Sequence, residues 1–300
     1  MVTGANGWIG GYVGVALQAE GWRVVGVSRT PEEAGERRPG WDWIGIGPEL
    51  EDAVHRAGAV VNLAGRHAFE QPWTPEYVEV MRSSRIEITR RVVAALADST
   101  AAERLLVSAS GYPVYGDAGE RTLPDDMPAS RELVLGAVDA DWEEAAAPAG
   151  VAGARLAVLR IGLTLGADGG AFPVLRGPFD AGSGIVLGDG RQWVPWVHIA
   201  DATRLIVDIV RDPRYRGAVN VVAPEPARHA ELAAALAQAL GVPCGNVVPA
   251  DQVRAMLGGA SELVLASQRM VPTKAAAAGF AFRHPEISGA VKDIVTGSAG

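Results

Sequence analysis

Gly4, Gly7 and Gly10 recur every third residue at the front of the chain, in Met1-Val2-Thr3-Gly4-Ala5-Asn6-Gly7-Trp8-Ile9-Gly10. Glycines at this spacing permit a tight strand-to-helix turn, close approach of a pyrophosphate, and close packing of helix on strand. Ile9, Val13 and Leu17 follow at helical spacing, so the helix would aim its free N–H groups and positive dipole end at the phosphates. A second apolar stretch, Trp22 to Val27, comes after Gly21 and supplies the strand that a nucleotide-binding turn requires. It ends in Ser28-Arg29-Thr30, where NAD-binding folds usually carry an Asp or Glu for the ribose hydroxyls. Arg29 cannot accept a hydrogen bond but can pair with a 2′-phosphate, and Ser28 can donate to the same group. Arg37 and Arg38 lie close by in sequence. NADP(H) is therefore the expected cofactor, and the competing reading of Arg29 is a solvated strand-end charge.

Other chemistries find little support. No Gly-x-Ser-x-Gly elbow and no Gly-Lys-Ser/Thr phosphate loop occurs. Cys244 is the single cysteine, which excludes an intramolecular disulfide and a cysteine-based zinc site. His55, His67, His198, His229 and His284 show no metal-ligand spacing, so no metal is expected. A net charge of −8 argues against nucleic acid as a partner. No apolar run approaches a membrane span and no basic-then-apolar leader precedes the glycine turn. The expectation is a cytoplasmic monomer or homodimer that takes a small molecule.

The elements that must position the turn alternate through the first half. Trp41–Ile44 reads as a short strand, Ala59–Ala64 as another ending at Gly65, and Arg104–Val107 as a third leading to Ser108-Ala109-Ser110. Thr74-Pro75 is an N-cap with proline at the first helical position, opening a helix to about Ala97. A helix from about Glu132 is expected to stop before Pro148, and Leu156–Ile161 to form a further strand. Alternation on this scale predicts an α/β fold, a Rossmann-type doubly wound parallel sheet. Only three residues precede Gly4, against about five in an ordinary central strand. A longer first strand, upstream of Met1, would thus be the norm, and a short one should cost stability.

Beyond Gly162 the chain becomes glycine-rich and loop-rich, with helical stretches at Ala202–Val210, Ala230–Leu240 and Ser261–Ser267 and a late strand at Val219–Val222. Residues 1–164 are read as the dinucleotide-binding domain and 165–300 mainly as a smaller substrate or lid domain, with 191–222 returning to the first.

Several words in the chain carry a family resemblance. They are Val2-Thr3-Gly4-x-x-Gly7-x-Ile9-Gly10, Asn62-Leu63-Ala64-Gly65, Ser84-Arg85 with Thr89, and Ser108-Ala109-Ser110 with Tyr115-Gly116. Gly190-Arg191-Gln192-Trp193 through Trp196-Val197-His198-Ile199 and Ser267-Gln268-Arg269 with Pro272 and Ala278-Gly279-Phe280 complete them. The chain resembles the extended short-chain dehydrogenase/reductase superfamily, and within it the atypical NAD(P)-dependent epimerase group sometimes labelled cell-division inhibitors. The resemblance spans nearly the whole chain. It implies cofactor contacts at Gly4, Asn6, Gly7, Trp8, Ile9, Ser28, Arg29, Asn62, Leu63, Ala64, Gly65, Arg85 and Ser108.

The resemblance also exposes a gap. Short-chain dehydrogenases pair a tyrosine with a lysine four residues later, and the lysine lowers the phenol's pKa so that it can pass a proton. None of the five tyrosines here is followed by such a lysine. The corresponding helix reads Val138-Asp139-Ala140-Asp141-Trp142-Glu143, where Asp139 and Glu143 are the nearest polar pair; they are expected to face solvent, with a catalytic role for either as the alternative. Ser110 matches the family's catalytic serine, or serves as a turn hydroxyl. Tyr112 and Tyr115, in the following loop, are candidates for a displaced proton donor. Arg191 and His198 are candidate substrate contacts, with solvation and backbone bonding as their plainer readings, and Asp201 reads as a helix N-cap. The expected activity is an NADP(H)-dependent oxidoreductase or epimerase acting on a small polar molecule. A non-catalytic NADP(H) sensor and a redox-neutral isomerase or cyclase stand as alternatives.

Overall fold

A computed structural model describes residues 1–99 and 104–297. Strands β1 (Val2–Thr3), β2 (Val25–Val27), β3 (Asp42–Ile44), β4 (Val60–Asn62) and β5 (Leu105–Gly111) join Arg155–Ile161 and Gly217–Val221 in one sheet. The spatial order is β3, β2, β1, β4, β5, Arg155–Ile161, Gly217–Val221, and every pairing is parallel. The winding reverses between β1 and β4, so a crevice opens at their carboxyl ends, where open α/β sheets take their ligands.

A parallel sheet must be covered on both faces, and the two-residue period of the strands decides which side chains do this. On one face Val61 and Val107 pack with Val13 and Leu17 of α1 (Trp8–Ala19) and with Leu205, Ile206 and Ile209 of the helix Ile199–Arg211. On the other, Val60 and Leu106 meet Val92 and Leu96 of α4 (Pro75–Asp98) and Ala146 of α5 (Val134–Val151). Between them in sequence come α2 (Pro31–Arg37) and α3 (Glu49–Arg56). Thr74 caps α4 as expected, its hydroxyl accepting from the Tyr77 N–H.

α5 departs from expectation by running through Pro148. A proline inside a helix leaves the carbonyl four residues earlier without its bond. Here Pro148 and Glu144 both lie on the exposed side, where water can take that carbonyl. At its other end α5 has no side-chain cap of its own. The Glu262 carboxylate supplies one, accepting from the N–H groups of Val134 and Leu135 at 3.0 and 2.8 Å.

The C-terminal lobe has its own core, Phe172, Phe179, Trp196, Leu232, Leu236, Val291 and Ile294. Ile199–Arg211 packs against α1, and Gly217–Val221 pairs with Arg155–Ile161 in the large sheet. By contrast Trp193–Val194 and Trp196–His198 pair outside the large sheet, with Ala227–Arg228 and Leu163–Leu165. Ser261–Ser267 forms a 3-10 turn, Gly258–Ser261, and a short helix, Glu262–Leu265, rather than one continuous helix. Among the described residues no helix is long and apolar enough to cross a membrane.

Candidate functional site

The three glycines of the opening turn do different work. Gly4 has φ of +66°, and a Cβ there would stand 2.6 Å from the Leu63 carbonyl oxygen. A Cβ at Gly10 would stand 2.3 Å from the Gly4 carbonyl oxygen, so α1 rests directly on the turn. Gly7 is the N-cap of α1, and a Cβ there would meet only the Gly4 oxygen, at 3.0 Å. Neither a capping side chain nor a first-turn acid serves that helix end. Its N–H groups, at Trp8 and Ile9 among others, suit an outside anion. The Trp8 indole is turned elsewhere. Its N–H donates to Asp168 at 2.9 Å, as does the Tyr12 hydroxyl, and the ring fills the space beside Gly166, Gly169 and Gly170. The Trp8 indole N–H is thus taken up within the chain.

At the end of β2 the buried Ser28 hydroxyl accepts from the Asn6 amide at 2.6 Å and from the Thr30 N–H at 3.0 Å. Its own proton remains to be donated. Arg29 is exposed and makes no hydrogen bond or ion pair among the described residues. Arg37 is bridged to Glu33. Arg38 instead lies over α1, where a Cβ on Gly11 would collide with its guanidinium, and it stacks over Trp41 at 5.2 Å.

Asn62 and Ser108 are corrected as direct cofactor contacts. Asn62 is wholly buried: its carbonyl accepts from Thr3 at 2.6 Å and its amide donates to Thr89 at 2.8 Å and Ser108 at 3.3 Å. Trp142 donates to the same Thr89 hydroxyl. This network locks β1, β4, β5, α4 and α5 together, because a buried polar group must be paired. The Thr3 hydroxyl also takes the N–H groups of Leu63 and Ala64, which sets the backbone path of the Leu63-Ala64-Gly65 segment along the crevice.

Ser110, Tyr112 and Tyr115 all spend their protons on structural partners. Ser110 donates to Glu143 at 2.7 Å, and Glu143 holds Arg160 through two further bonds of 2.9 and 2.8 Å. Tyr112 donates to the Leu263 carbonyl, and burial together with the nearby Asp139 raises its pKa. Tyr115 donates to Asn220 at 2.7 Å, and burial pushes its phenol up to about 12. Both shifts run opposite to the lowering that a neighbouring lysine would give.

The expectation that Asp139 and Glu143 face solvent is also overturned. Asp139 is 3% exposed and its Oδ2 has no hydrogen-bond partner. That oxygen sits 2.6 Å from where a Cβ on Gly111 would be. Burial raises its carboxyl to about 7; Arg85 opposes the rise while Glu143 and Glu262 add to it. Arg85 lies against Gly65, whose Cβ would stand 3.1 Å from its side chain. One nitrogen of Arg85 donates to the Met81 carbonyl, its Nε is unpaired, and the guanidinium packs over Trp142 at 5.2 Å. Sequence reasoning flagged Asp139 by its spacing to Glu143, but the glycine at 111 that admits it gave no separate signal.

Arg191 is exposed, with its N–H on Asp189 and its carbonyl receiving Arg228. His198 is buried. Its Nδ1 accepts from the Ala200 N–H and caps the helix, the place assigned to Asp201. Asp201 instead binds the N–H groups of Arg283 and His284 and pins the C-terminal segment. His198, His284 and Asp293 bring ligand-type atoms within 4.8 Å of one another. Since Nδ1 of His198 accepts, its neutral ring carries the proton on Nε2, which leaves no lone pair there for a metal. Burial lowers that histidine to about 4.

A parallel sheet reversing at β1, a glycine turn at the reversal and a basic end to β2 define a dinucleotide-binding protein of the short-chain dehydrogenase/reductase type. The chain belongs to the NAD dependent epimerase/dehydratase family, whose model matches residues 1–222, and a domain of unknown function, DUF1731, matches 248–294. It is 33% identical to the epimerase family protein SDR39U1 homolog, chloroplastic, of Arabidopsis thaliana, over 98% of this chain and 86% of that protein. It is 29% identical to the epimerase family protein YfhF of Bacillus subtilis, over 98% and 97%. Among solved structures, human epimerase family protein SDR39U1 (isoform 2) with NADPH superposes with a TM-score of 0.86 at 28% identity, covering 98% of both chains.

Proposed function

We propose that this chain is an NADP(H)-dependent oxidoreductase or epimerase acting on a small polar substrate, without the tyrosine–lysine dyad. The observation that carries the cofactor reading is the unpaired Arg29 beside a Ser28 with a proton to give, one strand away from the glycine turn. The human relative crystallised with NADPH supports it. The residues fit the cofactor: the N-terminus of α1 would receive the pyrophosphate, Arg29 and Ser28 the 2′-phosphate, with Arg38 alongside, and Leu63 to Gly65 would line the crevice. When bound, the nicotinamide supplies or accepts a hydride. The chain's own part is to orient substrate and to hold or move the accompanying proton. A cytoplasmic monomer or homodimer with no nucleic-acid or membrane partner accompanies this reading.

Calorimetry with NADPH and NADH on wild type and Arg29→Ala tests the cofactor assignment. A charged contact of this kind is worth about 1.5–3 kcal/mol, roughly one to two decades in affinity. Wild type should prefer NADPH by that margin and the variant should lose the preference; equal wild-type affinities for the two would refute it. The alternative, a non-catalytic NADP(H) sensor, is favoured by one observation, that Ser110, Tyr112 and Tyr115 are all committed to structural bonds. Redox-neutral isomerase or cyclase chemistry would use the same crevice.

A further inference from the structure

We propose that Asp139 is the proton-transfer group of this crevice, a buried carboxyl in place of the missing phenol, with Arg85 beside it to hold the charge it acquires. The inference rests on the NADP(H)-dependent oxidoreductase reading above. Asp139 Oδ2 has no hydrogen-bond partner, although the residue is only 3% exposed. A buried carboxyl without partners is costly, and an apolar residue of similar size would remove the cost. A structural role gives it nothing to bind.

Its placement is specific. Oδ2 occupies the space a Cβ on Gly111 would need, at the carboxyl end of β5. Arg85 fills the corresponding space beside Gly65, just past β4, with an unpaired Nε. Two complementary groups, one from α4 and one from α5, therefore carry unpaired atoms next to the carboxyl ends of β4 and β5, the side of the sheet where open α/β folds take their ligands. Glu143, one turn along α5, is excluded by its paired bonds to Arg160 and Ser110. The titratable groups around Asp139 are Arg85 on α4, Glu143 on α5, Tyr112 on the 3-10 turn Tyr112–Tyr115 that follows β5, and Glu262 in the C-terminal segment. Their balance with burial keeps its carboxyl near 7, where a group can both give and take a proton at neutral pH.

In the reductive direction a substrate carbonyl carbon gains a hydride from the reduced nicotinamide, which becomes oxidised. The C=O π pair moves to oxygen, and oxygen takes the proton from Asp139. The carboxylate left behind faces Arg85 and is reprotonated from water. In the oxidative direction each transfer reverses.

Asp139→Asn keeps the shape and removes the proton. Calorimetry with NADPH first establishes that both proteins bind the cofactor; a wild type that does not bind defeats the underlying reading and this inference with it. Infrared titration of the NADPH complex should show a protonated carboxyl band fading around pH 7 in wild type and missing from Asp139→Asn. Reduction of glyceraldehyde, pyruvate and 9,10-phenanthrenequinone by NADPH should fall roughly 10²-fold in the variant. The loss of wild-type kcat/KM as pH rises through about 7 should vanish with it, and Asp139→Glu should restore part of the rate. Bound NADPH with no reduction of any of the three by wild type, no such carboxyl band, or an unchanged rate and pH profile in Asp139→Asn would overturn the inference while leaving cofactor binding standing.

Discussion

Asp139→Asn should flatten the pH dependence of stability. In the folded chain the Asp139 carboxyl titrates near 7 rather than at the ordinary 3.8, chiefly because burial disfavours its charge. Between those two values the unfolded chain has released a proton that the folded chain still holds. Stability contributed by this group is therefore full below about pH 4, falls as pH climbs to about 7, and stays low above. The gap between 3.8 and about 7, at 1.36 kcal/mol per pH unit, sets an upper bound of about 4 kcal/mol, which water penetration would trim. Urea denaturation of wild type and variant at pH 5 and pH 8 measures it. Other carboxylates titrate in both proteins and cancel in the difference. Wild type should lose about 1–3 kcal/mol more than Asp139→Asn between the two pH values. Parallel pH curves would show that Asp139 ionises normally, and the reasoning from its burial would fail.

Gly10→Val should fold poorly, because its Cβ would sit 2.3 Å from the Gly4 oxygen, whereas Gly7→Val should fold and lose NADPH binding at least tenfold; thermal melts and calorimetry separate the two. Glu262→Gln weakens the acceptor at the start of α5 and should cost about 0.5–2 kcal/mol in urea titrations. Tyr115→Phe leaves the buried Asn220 carbonyl without its 2.7 Å donor and should cost about 1–3 kcal/mol. Ser110→Ala should leave NADPH affinity unchanged and cost about 1 kcal/mol of stability, because its hydroxyl serves Glu143.

The amino-acid sequence was sufficient for the glycine turn and for the kind of cofactor. A glycine turn works through backbone geometry, and glycine spacing states it directly, so Gly4, Gly7 and Gly10 lie in the turn where expected. The alternation of apolar strands with helical periods likewise announced the doubly wound sheet, because both depend on neighbours a few residues away. Helix boundaries were less legible: α5 continues past Pro148 because its freed carbonyl faces water, a matter of orientation rather than residue type. The surroundings of the other polar candidates were decided by long-range packing. Ser110 looks catalytic in its motif, yet which side of the strand its hydroxyl faces is set by Glu143 and Arg160, 33 residues onward and one strand over. Asp139 reads as an ordinary surface acid of a helix until the sheet brings Gly111 and Gly65 against it and Arg85. A side chain's hydrogen bonds and pKa depend on which distant groups fold around it and how much water they exclude. Only the tertiary structure supplies those distances, so it alone separated Glu143, paired with Ser110 and Arg160, from Asp139, buried with an oxygen that has no partner.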